Sequence, residues 1–332
     1  MQMRAFGRTG MQLSVLGFGC GAVGGIMVRG DHADQERTVA KALAAGVNYF
    51  DTAVQYGDGE SEKNLGRILQ KLKPANPVVG TKVRIPPGDY RRIGDAIATS
   101  LEGSLGRLGR DSVDIFHLHN LITEKEGGTA LSAAQVLGEV VPAFERLRQQ
   151  GKVRFLGLTA VGDTAALHQV IDSRAFDSAQ VVYNMLNPSA AEALPINYPA
   201  QDYGRLFDHT KAAGVGVVGI RVLAGGALSG SAERHPIASP PPEPIGSAMS
   251  YEGDIERARR LTVLVEEGFA ASLTEAATRF SLSHPAMGTI LVGIATPGQF
   301  DDALAAVQKG PLPAAALERL SALRQGFAGE AR

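Results

Sequence analysis

The sequence predicts a closed (β/α)8 barrel, and the order of its elements is the main reason. Eight short apolar runs are expected to form strands, and most of them are followed by a segment with helical periodicity. Apolar strands that alternate with helices are typical of a parallel sheet covered on both faces. The chain of 332 residues is long enough, because such a barrel needs about 250 residues. A doubly wound sheet is the alternative, but the glycine-rich run 19–25 leads into a loop instead of opening a helix.

The predicted elements follow one another as in a barrel, after an N-terminal β-hairpin. The hairpin is expected over residues 3–12, with its turn at 7–10. The barrel strands, each a short apolar run, are predicted at 14–19, 47–51, 77–82, 112–118, 154–159, 179–183, 215–220 and 289–292. Helical segments are predicted near 34–45, 61–72, 90–108, 130–150, 163–173, 202–213, 253–282 and 313–327. We expect residues 1–332 to form a single barrel domain.

Two proline-containing loops account for part of the length beyond the barrel. They span residues 186–199 and 228–253, and each follows a late strand. Loops at the carboxyl ends of barrel strands lie over the barrel mouth, so we expect both loops to shape a substrate pocket or lid. A disordered insertion is the alternative for 228–253, which contains five prolines.

Composition argues against several classes of function. The net charge of −1 gives no electrostatic basis for binding nucleic acid or an anionic membrane. No apolar run approaches the roughly 20 residues of a membrane helix, and the N-terminus lacks the apolar region of a signal peptide. The single cysteine, Cys20, is incompatible with an internal disulfide framework or a cysteine-rich metal site. A cytoplasmic protein is the expected outcome.

The stretch from Asn48 to Glu62 is the predicted centre of the functional site. It has the pattern of a strand end, a glycine-rich loop and a helix start, at which Ser61 lies between two acidic residues. It places a carboxyl group, Asp51, and a phenol, Tyr56, just beyond a strand, where barrel enzymes keep their chemistry. Taken alone, an aspartate at this place is often only a turn former.

Two later strands end in residues that suit this pair. Lys82 ends an apolar strand, and a buried ammonium there needs a partner, for which Asp51 is the natural candidate. The next strand carries His117 and His119, which share a face because side chains alternate along a strand. We expect His119 to hydrogen-bond the substrate and His117 to be a core histidine.

Together these groups predict general acid–base chemistry at Tyr56. A free phenol has a pKa of about 10, and a nearby ammonium lowers that pKa because it favours the phenolate. We therefore expect Lys82 to lower the pKa of Tyr56, Asp51 to hold Lys82 in place and His119 to orient a substrate carbonyl.

Motifs spread along the chain resemble those of one enzyme family. They lie at 8–10, 16–19, 51–57, 81–82, 114–119, 151–157 and 180–184. Through them the chain resembles the aldo-keto reductases from about residue 4 to about residue 308, and it is most similar to their sugar dehydrogenase branch at 214–218 and 291–293. The resemblance implies a nicotinamide cofactor across the barrel mouth and hydride transfer between it and a carbonyl or alcohol. It also implies that Tyr56 is the proton donor or acceptor.

The resemblance assigns further residues to the cofactor. The nicotinamide amide is expected at Thr159 and Gln180, although this chain has Thr159-Ala160 where the family often has Ser-Asn. Arg221 replaces a hydroxyl of the family pattern, and we expect its guanidinium to clamp the cofactor pyrophosphate. An ion pair with a loop acid is the alternative for Arg221. The other cofactor contacts are expected at Ile220, Leu223, Gly225, Gly293, Thr296, Gln299 and Asp302.

The cofactor is expected to be NAD or NADP, with NAD favoured. In NADP-preferring relatives the segment corresponding to 293–303 supplies Lys and Arg to the 2′-phosphate, which carries about two negative charges. Here the segment has no cation. The substrate is expected to be a small-molecule carbonyl or alcohol, in contact with Ile26, Met27, Val54, Arg84, Asn120 and Tyr198. Neither the substrate nor the oligomeric state follows from the sequence.

Two other functions are compatible with a barrel of this kind. A cofactor-binding sensor or partner subunit would bind nicotinamide with little turnover. A metal-dependent barrel hydrolase would use His117 and His119 as ligands, although no third ligand is evident at motif spacing. The four groups of the acid–base set favour the oxidoreductase.

Overall fold

The predicted strands close into an eight-stranded parallel barrel. The computed structural model describes residues 1–330. The strands, with two short pairs outside the barrel, are β1 Met3–Ala5, β2 Gln12–Ser14, β3 Leu16–Gly19, β4 Tyr49–Asp51, β5 Val78–Val83, β6 Val113–Leu118, β7 Leu121–Thr123, β8 Ala130–Ser132, β9 Val153–Ala160, β10 Ser178–Val182, β11 Gly216–Ile220 and β12 Met287–Val292. The barrel consists of β3–β6 and β9–β12, each paired with its neighbour in the chain, and β12 pairs with β3. The predicted fold class is confirmed, whereas the single domain of 1–332 stays a prediction, and 331–332 lie outside the described residues.

Helices cover the outside of the barrel. In chain order they are α1 Ile26–Arg29, α2 His32–Ala44, α3 Glu60–Leu72, α4 Ile93–Leu108, α5 Ala133–Gln135, α6 Val141–Gln149, α7 Thr164–Asp172, α8 Leu206–Ala213, α9 Tyr251–Arg260, α10 Val263–Glu266, α11 Leu273–Leu282, α12 Pro297–Gln308 and α13 Ala314–Gln325. A π-helical stretch at Val136–Val140 joins α5 to α6. None of the helices within residues 1–330 has the length and apolar character that crossing a membrane requires.

The N-terminal hairpin closes the floor of the barrel. β1 and β2 pair antiparallel, and the turn between them buries Phe6 completely. The apolar side chains that meet there are Phe6, Met11, Leu13, Tyr49, Ile115 and Val218. The Phe6 ring fits because Gly216 and Gly288 carry no side chain. A Cβ atom added to either glycine would lie 2.7 Å from the ring.

The structure corrects the helix predicted near 130–150. Its first three residues form β8, which pairs in parallel with β7. The helix then begins at a capping box, in which the Ser132 hydroxyl accepts from the Gln135 N–H and the Gln135 side chain accepts from the Ser132 N–H. Pairing between two short strands therefore overrides the local helical periodicity.

The helix predicted over 253–282 is three helices, and α12 was not predicted. Gly268 has a φ of +78° after α10, and the Ser272 hydroxyl begins α11 by accepting from a backbone N–H. α12 begins in the same way at Thr296, with Pro297 in its first turn. A serine or threonine cap is thus the local signal that sets both helix starts.

The proline-rich loop crosses the barrel mouth, as expected from its position after a late strand. The N–H of Ser239 donates to the carbonyl of Val23 at 3.2 Å. The Arg29 guanidinium donates to the carbonyl oxygen of Ile237 at 2.6 Å. Gly25 allows this approach, because a Cβ there would lie 2.1 Å from the same oxygen. The loop after β11 is therefore fastened to the loop after β3.

The packing of Phe6 yields a stability prediction. Replacing Phe6 with Ala should lower the free energy of unfolding by about 3–5 kcal/mol, because a buried ring is lost and a cavity remains in the floor. Met3→Ala, in the same hairpin at 41% exposure, is the control and should change it by less than about 0.5 kcal/mol. Urea denaturation followed by circular dichroism measures both values. Equal stability of the two variants would contradict the role of Phe6 in the floor.

Candidate active site

A buried ion pair lies at the carboxyl ends of two neighbouring barrel strands. Lys82 in β5 is completely buried, and its Nζ atom lies 2.5 Å from Oδ2 of Asp51 at the end of β4. The ammonium also donates to the carbonyl of Thr52 at 2.8 Å and to the hydroxyl of Tyr56 at 3.1 Å. Burial lowers the pKa of Lys82, but Asp51 and Tyr56 more than offset this and leave the pKa raised. Lys82 is therefore a buried cation at neutral pH.

The loop between β4 and α3 brings Tyr56 to this pair. The loop turns tightly because Gly57 and Gly59 adopt positive φ values of 66° and 90°. Its two ends are joined by a hydrogen bond of 2.8 Å between the hydroxyls of Thr52 and Ser61. The predicted strand, loop and helix start of this stretch are all present.

The net pKa of Tyr56 differs from the expectation. Burial raises the pKa of the phenol, and the Lys82 ammonium lowers it only in part, while the Asp51 carboxylate raises it further. Lys82 thus acts in the predicted direction, but the net pKa of Tyr56 lies above its ordinary value. The sequence cannot show how far a loop tyrosine is desolvated, and desolvation decides whether the net pKa of Tyr56 is raised or lowered.

His119 lies beside Tyr56 as a neutral imidazole. The two rings meet edge to face with centroids 6.0 Å apart. Burial lowers the pKa of His119 well below its ordinary value, and the nearby cations Lys82 and Arg84 lower it further. Its Nδ1 atom lies 3.3 Å from Oε1 of Gln55. Gln55 was not among the predicted site residues.

Asp51 is held by two hydrogen bonds besides the ion pair. The Tyr49 hydroxyl donates to Oδ1 at 2.9 Å, and Nε2 of Gln180 donates to the same atom at 2.7 Å. Oε1 of Gln180 in turn accepts from the Thr159 hydroxyl at 3.4 Å. The structure therefore brings Thr159 and Gln180 to the acid–base set itself. Tyr49 was missed, although it shares a strand face with Asp51 by the alternation of side chains.

His117 points into a different environment from His119. It is completely buried, and its Nε2 atom lies 3.2 Å from the hydroxyl of Ser178. Burial lowers the pKa of His117 well below its ordinary value. Among residues 1–330, no group of three His, Cys, Asp or Glu side chains is arranged to hold a metal ion. These contacts suit the core histidine predicted for His117.

A cavity of 870 Å³ opens beside the acid–base set at the barrel mouth. The predicted site residues that line it are Asp51, Tyr56, Arg84, His119, Thr159, Gln180, Ile220, Arg221, Leu223, Gly225, Gly293, Gln299 and Asp302. Lys82 lies behind Tyr56, without surface of its own. The proline-rich loop supplies further lining through Glu233, Arg234, His235, Ala238 and Ile245, none of which was predicted individually.

Besides Lys82, six predicted residues do not line this cavity, and most of them have a structural role. Ile26 and Met27 are buried in the core at the start of α1, and Val54 is half-buried in the Tyr56 loop. Asn120 uses its amide to bond the backbone of Ile85 and Thr129. The Tyr198 hydroxyl donates to the carbonyl of Leu186 at 2.9 Å, and Thr296 caps α12. Sequence position near a strand end does not show which way such side chains point.

Arg221 is a partly buried cation in the cavity wall. It follows β11 directly and has a φ of +56°, a conformation that few non-glycine residues adopt. Its guanidinium donates to the backbone carbonyl of Glu243 at 3.2 Å. Within the described chain no carboxylate lies within ion-pair distance of it, so the alternative of an ion pair with a loop acid is not realised.

Comparison with known proteins identifies relatives along most of the chain. Residues 15–325 match the Aldo/keto reductase family. L-galactose dehydrogenase of Arabidopsis thaliana is 29% identical over 311 residues, which cover 92% of this chain and 88% of that protein. Pyridoxal 4-dehydrogenase of Microbacterium luteolum is 26% identical and covers 90% of each chain. D-threo-aldose 1-dehydrogenase of a Pseudomonas species is 31% identical over 214 residues, 56% of this chain and 62% of that protein.

A solved structure has the same fold. It is an aldo-keto reductase from Bacillus halodurans in its holo form, with 24% identity and a TM-score of 0.70, and the match covers 97% of this chain and 96% of that one. The family match extends over nearly the whole chain, and the resemblance seen in the sequence motifs is confirmed. The chain belongs to the aldo/keto reductase family and is an oxidoreductase.

Proposed function

We propose that the protein is an NAD(P)-dependent oxidoreductase in which Tyr56 is the general acid and base. The observation that carries this proposal is the 3.1 Å contact between Lys82 Nζ and the Tyr56 hydroxyl at the cavity. His119 lies beside Tyr56, so both side chains can reach one substrate oxygen. Similarity to two sugar dehydrogenases supports an aldose, another aldehyde or a ketone as the small-molecule substrate, in its carbonyl or alcohol form.

Two properties of the cavity support a nicotinamide dinucleotide as the ligand. Its volume of 870 Å³ falls within the range of about 300–1,000 Å³ that is usual for ligand pockets. The guanidinium of Arg221, which bonds a backbone carbonyl but has no carboxylate within ion-pair distance, suits an anionic pyrophosphate. Residues in three parts of the lining would hold the cofactor: Thr159 and Gln180 at the nicotinamide, Ile220, Arg221, Leu223 and Gly225 along the pyrophosphate, and Gly293, Gln299 and Asp302 at the adenosine.

The four side chains of the acid–base set have different roles in the proposed proton transfer. Bound in the cavity, the cofactor would supply or take up a hydride. For carbonyl reduction, Tyr56 gives its proton to the substrate oxygen while His119 hydrogen-bonds that oxygen. For alcohol oxidation, the Tyr56 phenolate accepts the hydroxyl proton, and Lys82 stabilises the phenolate. In both directions of the reaction, Asp51 keeps Lys82 charged and holds it in place.

The far end of the cavity supports NAD at least as well as NADP. Gln299 and the acidic side chains of Asp302 and Glu275 line this end. Lys309 and Arg279 are paired with Glu275 at 2.7 Å and 3.0 Å. A 2′-phosphate at this end would therefore meet two carboxylates, and the two cations that bond Glu275 are already paired.

The two alternative functions have weaker support. A sensor has no need of a complete acid–base set, whereas Asp51, Tyr56, Lys82 and His119 are all within one contact network. A hydrolase that used His117 and His119 would need the two rings to face one ion, but their nitrogens contact Ser178 and Gln55.

The proposal predicts turnover that depends on the Tyr56 hydroxyl. Aldoses and aromatic aldehydes are assayed in both directions with NAD and NADP, by absorbance of the reduced nicotinamide. Tyr56→Phe should lower kcat by about 100- to 10,000-fold, because it removes the general acid, and leave cofactor Kd unchanged. Tyr90→Phe, which removes a hydroxyl outside the cavity lining, is the control. Cofactor binding without turnover would favour the sensor, and a kcat/KM far higher with NADP would contradict the proposed cofactor preference.

The raised pKa of Tyr56 predicts opposite pH dependence in the two directions. Reduction needs the protonated phenol, so its kcat/KM should be flat between about pH 6 and about pH 9, below that pKa. Oxidation needs the phenolate, so its kcat/KM should rise by about tenfold per pH unit over the same range. Lys82→Met should shift the rise to higher pH, because the ammonium that lowers the pKa is gone. A flat profile for oxidation would exclude Tyr56 as the base.

The position of Arg221 predicts a role in cofactor affinity. Arg221→Ala should raise the Kd for the cofactor by about 10- to 100-fold, the loss expected for a charge-assisted hydrogen bond. Titration of the protein with reduced nicotinamide cofactor, followed by fluorescence, measures this Kd. Arg205→Ala removes an exposed arginine paired with Asp208 outside the lining and should leave Kd unchanged. An unchanged Kd in Arg221→Ala would rule out the clamp.

A further inference from the structure

Gln55 is the protein group that contacts the inner ring nitrogen of His119. Its Oε1 atom lies 3.3 Å from His119 Nδ1, and both residues line the cavity. The main chain of His119 is fixed separately, since its N–H donates to the carbonyl of Val83 at 2.8 Å and its carbonyl accepts from Arg84 at 3.4 Å. No other group in residues 1–330 hydrogen-bonds the ring, so Nε2 is available to a ligand in the cavity.

We propose that Gln55 is a positioning residue that keeps the single imidazole proton of His119 on Nε2. The proposal rests on the proposed function, in which His119 hydrogen-bonds the substrate oxygen. A neutral imidazole has one N–H, and the partner of one nitrogen decides which nitrogen carries it. A carbonyl oxygen can only accept, so Nε2 must be the donor and Nδ1 must accept a hydrogen bond from the protein.

The carboxamide of Gln55 has the group that Nδ1 then requires. Its oxygen and NH2 ends have the same shape, and a half-turn about the last side-chain bond places the NH2 where Oε1 lies. In the structure the oxygen end faces Nδ1 at 3.3 Å. The proposal assigns the turned orientation, in which the NH2 donates to Nδ1 and the imidazole proton stays on Nε2. Because Gln55 directly precedes Tyr56, one loop would hold both the proposed proton donor, Tyr56, and the side chain that orients His119.

The surroundings keep His119 neutral, which is why the choice of tautomer matters. Burial lowers its pKa most, followed by Lys82, Arg84 and His117. Lys82 and Arg84 are the charged groups that face the ring, and Tyr56 lies against it as a neutral phenol. An imidazolium would donate from both nitrogens and make the partner of Nδ1 irrelevant, but these neighbours disfavour it.

Two variants at this position separate the proposal from a packing role. Gln55→Glu can only accept, so it should move the neutral imidazole proton to Nδ1 and raise the pKa of His119. Carbonyl reduction by this variant should then fall as pH rises through the His119 pKa, because Nε2 donates only in the imidazolium. Gln55→Met, of similar length, should lose about tenfold at every pH without a new ionisation. Wild-type protein should show no such pH step.

The tautomer itself is read by NMR of protein labelled with 15N-histidine, with His119→Asn to assign the signal among seven histidines. The expected result is a proton on Nε2 in the wild type and on Nδ1 in neutral Gln55→Glu. A proton on Nδ1 in the wild type, or the same pH profile for wild type and Gln55→Glu, would overturn the proposal. This measurement needs no turnover. If the wild type were inactive but carried the proton on Nε2, and Gln55→Glu carried it on Nδ1, the result would count against the proposed function alone.

Discussion

The buried contact between Lys82 and Asp51 is the constraint on which the rest of the site depends. Moving an ion out of water costs several kcal/mol, so a completely buried ammonium persists only with a close counter-ion and further hydrogen bonds. Asp51 supplies the charge, and the carbonyl of Thr52 and the hydroxyl of Tyr56 supply the hydrogen bonds. Tyr56 thus completes the hydrogen bonding of the lysine, and in the proposed function the same hydroxyl exchanges a proton with the substrate.

The rigid part of the site comes from strands, and the variable part comes from loops. Asp51, Lys82 and Gln180 stand on three barrel strands and are joined by direct hydrogen bonds, so their relative positions follow from the register of the barrel. Hydrogen-bonded strands hold reacting groups more accurately than loops do. The cavity wall is built differently, because Arg221 and the loop after β11 close it over the mouth. Changes in that loop would alter the cavity wall without disturbing the hydrogen bonds among Asp51, Lys82 and Gln180.

Much of this arrangement could be predicted from the sequence, for a geometric reason. Carboxyl ends of parallel strands meet at one rim, so residues such as Asp51, Lys82 and His119 are brought together by topology alone. The contacts of Tyr49 and Gln55 were not predicted, since they depend on the direction of individual side chains. The boundaries of short elements were missed for a related reason, because strand pairing and helix caps decide them locally.

The substrate wall and the pKa of Tyr56 show where sequence reasoning ends. Ile26 and Asn120 lie near strand ends, but one is packed in the core and the other bonds the backbone. The pKa of Tyr56 is the sum of desolvation and two opposite charges, and only coordinates give their relative size.

A crystal structure of the protein with NAD bound tests the central claim most directly. The account predicts that Lys82 Nζ stays between Asp51 and the Tyr56 hydroxyl, within about 3.2 Å of each, with the nicotinamide ring beside Tyr56 and His119. A Tyr56 hydroxyl beyond hydrogen-bonding reach of Lys82, or a cofactor bound away from these residues, would contradict it.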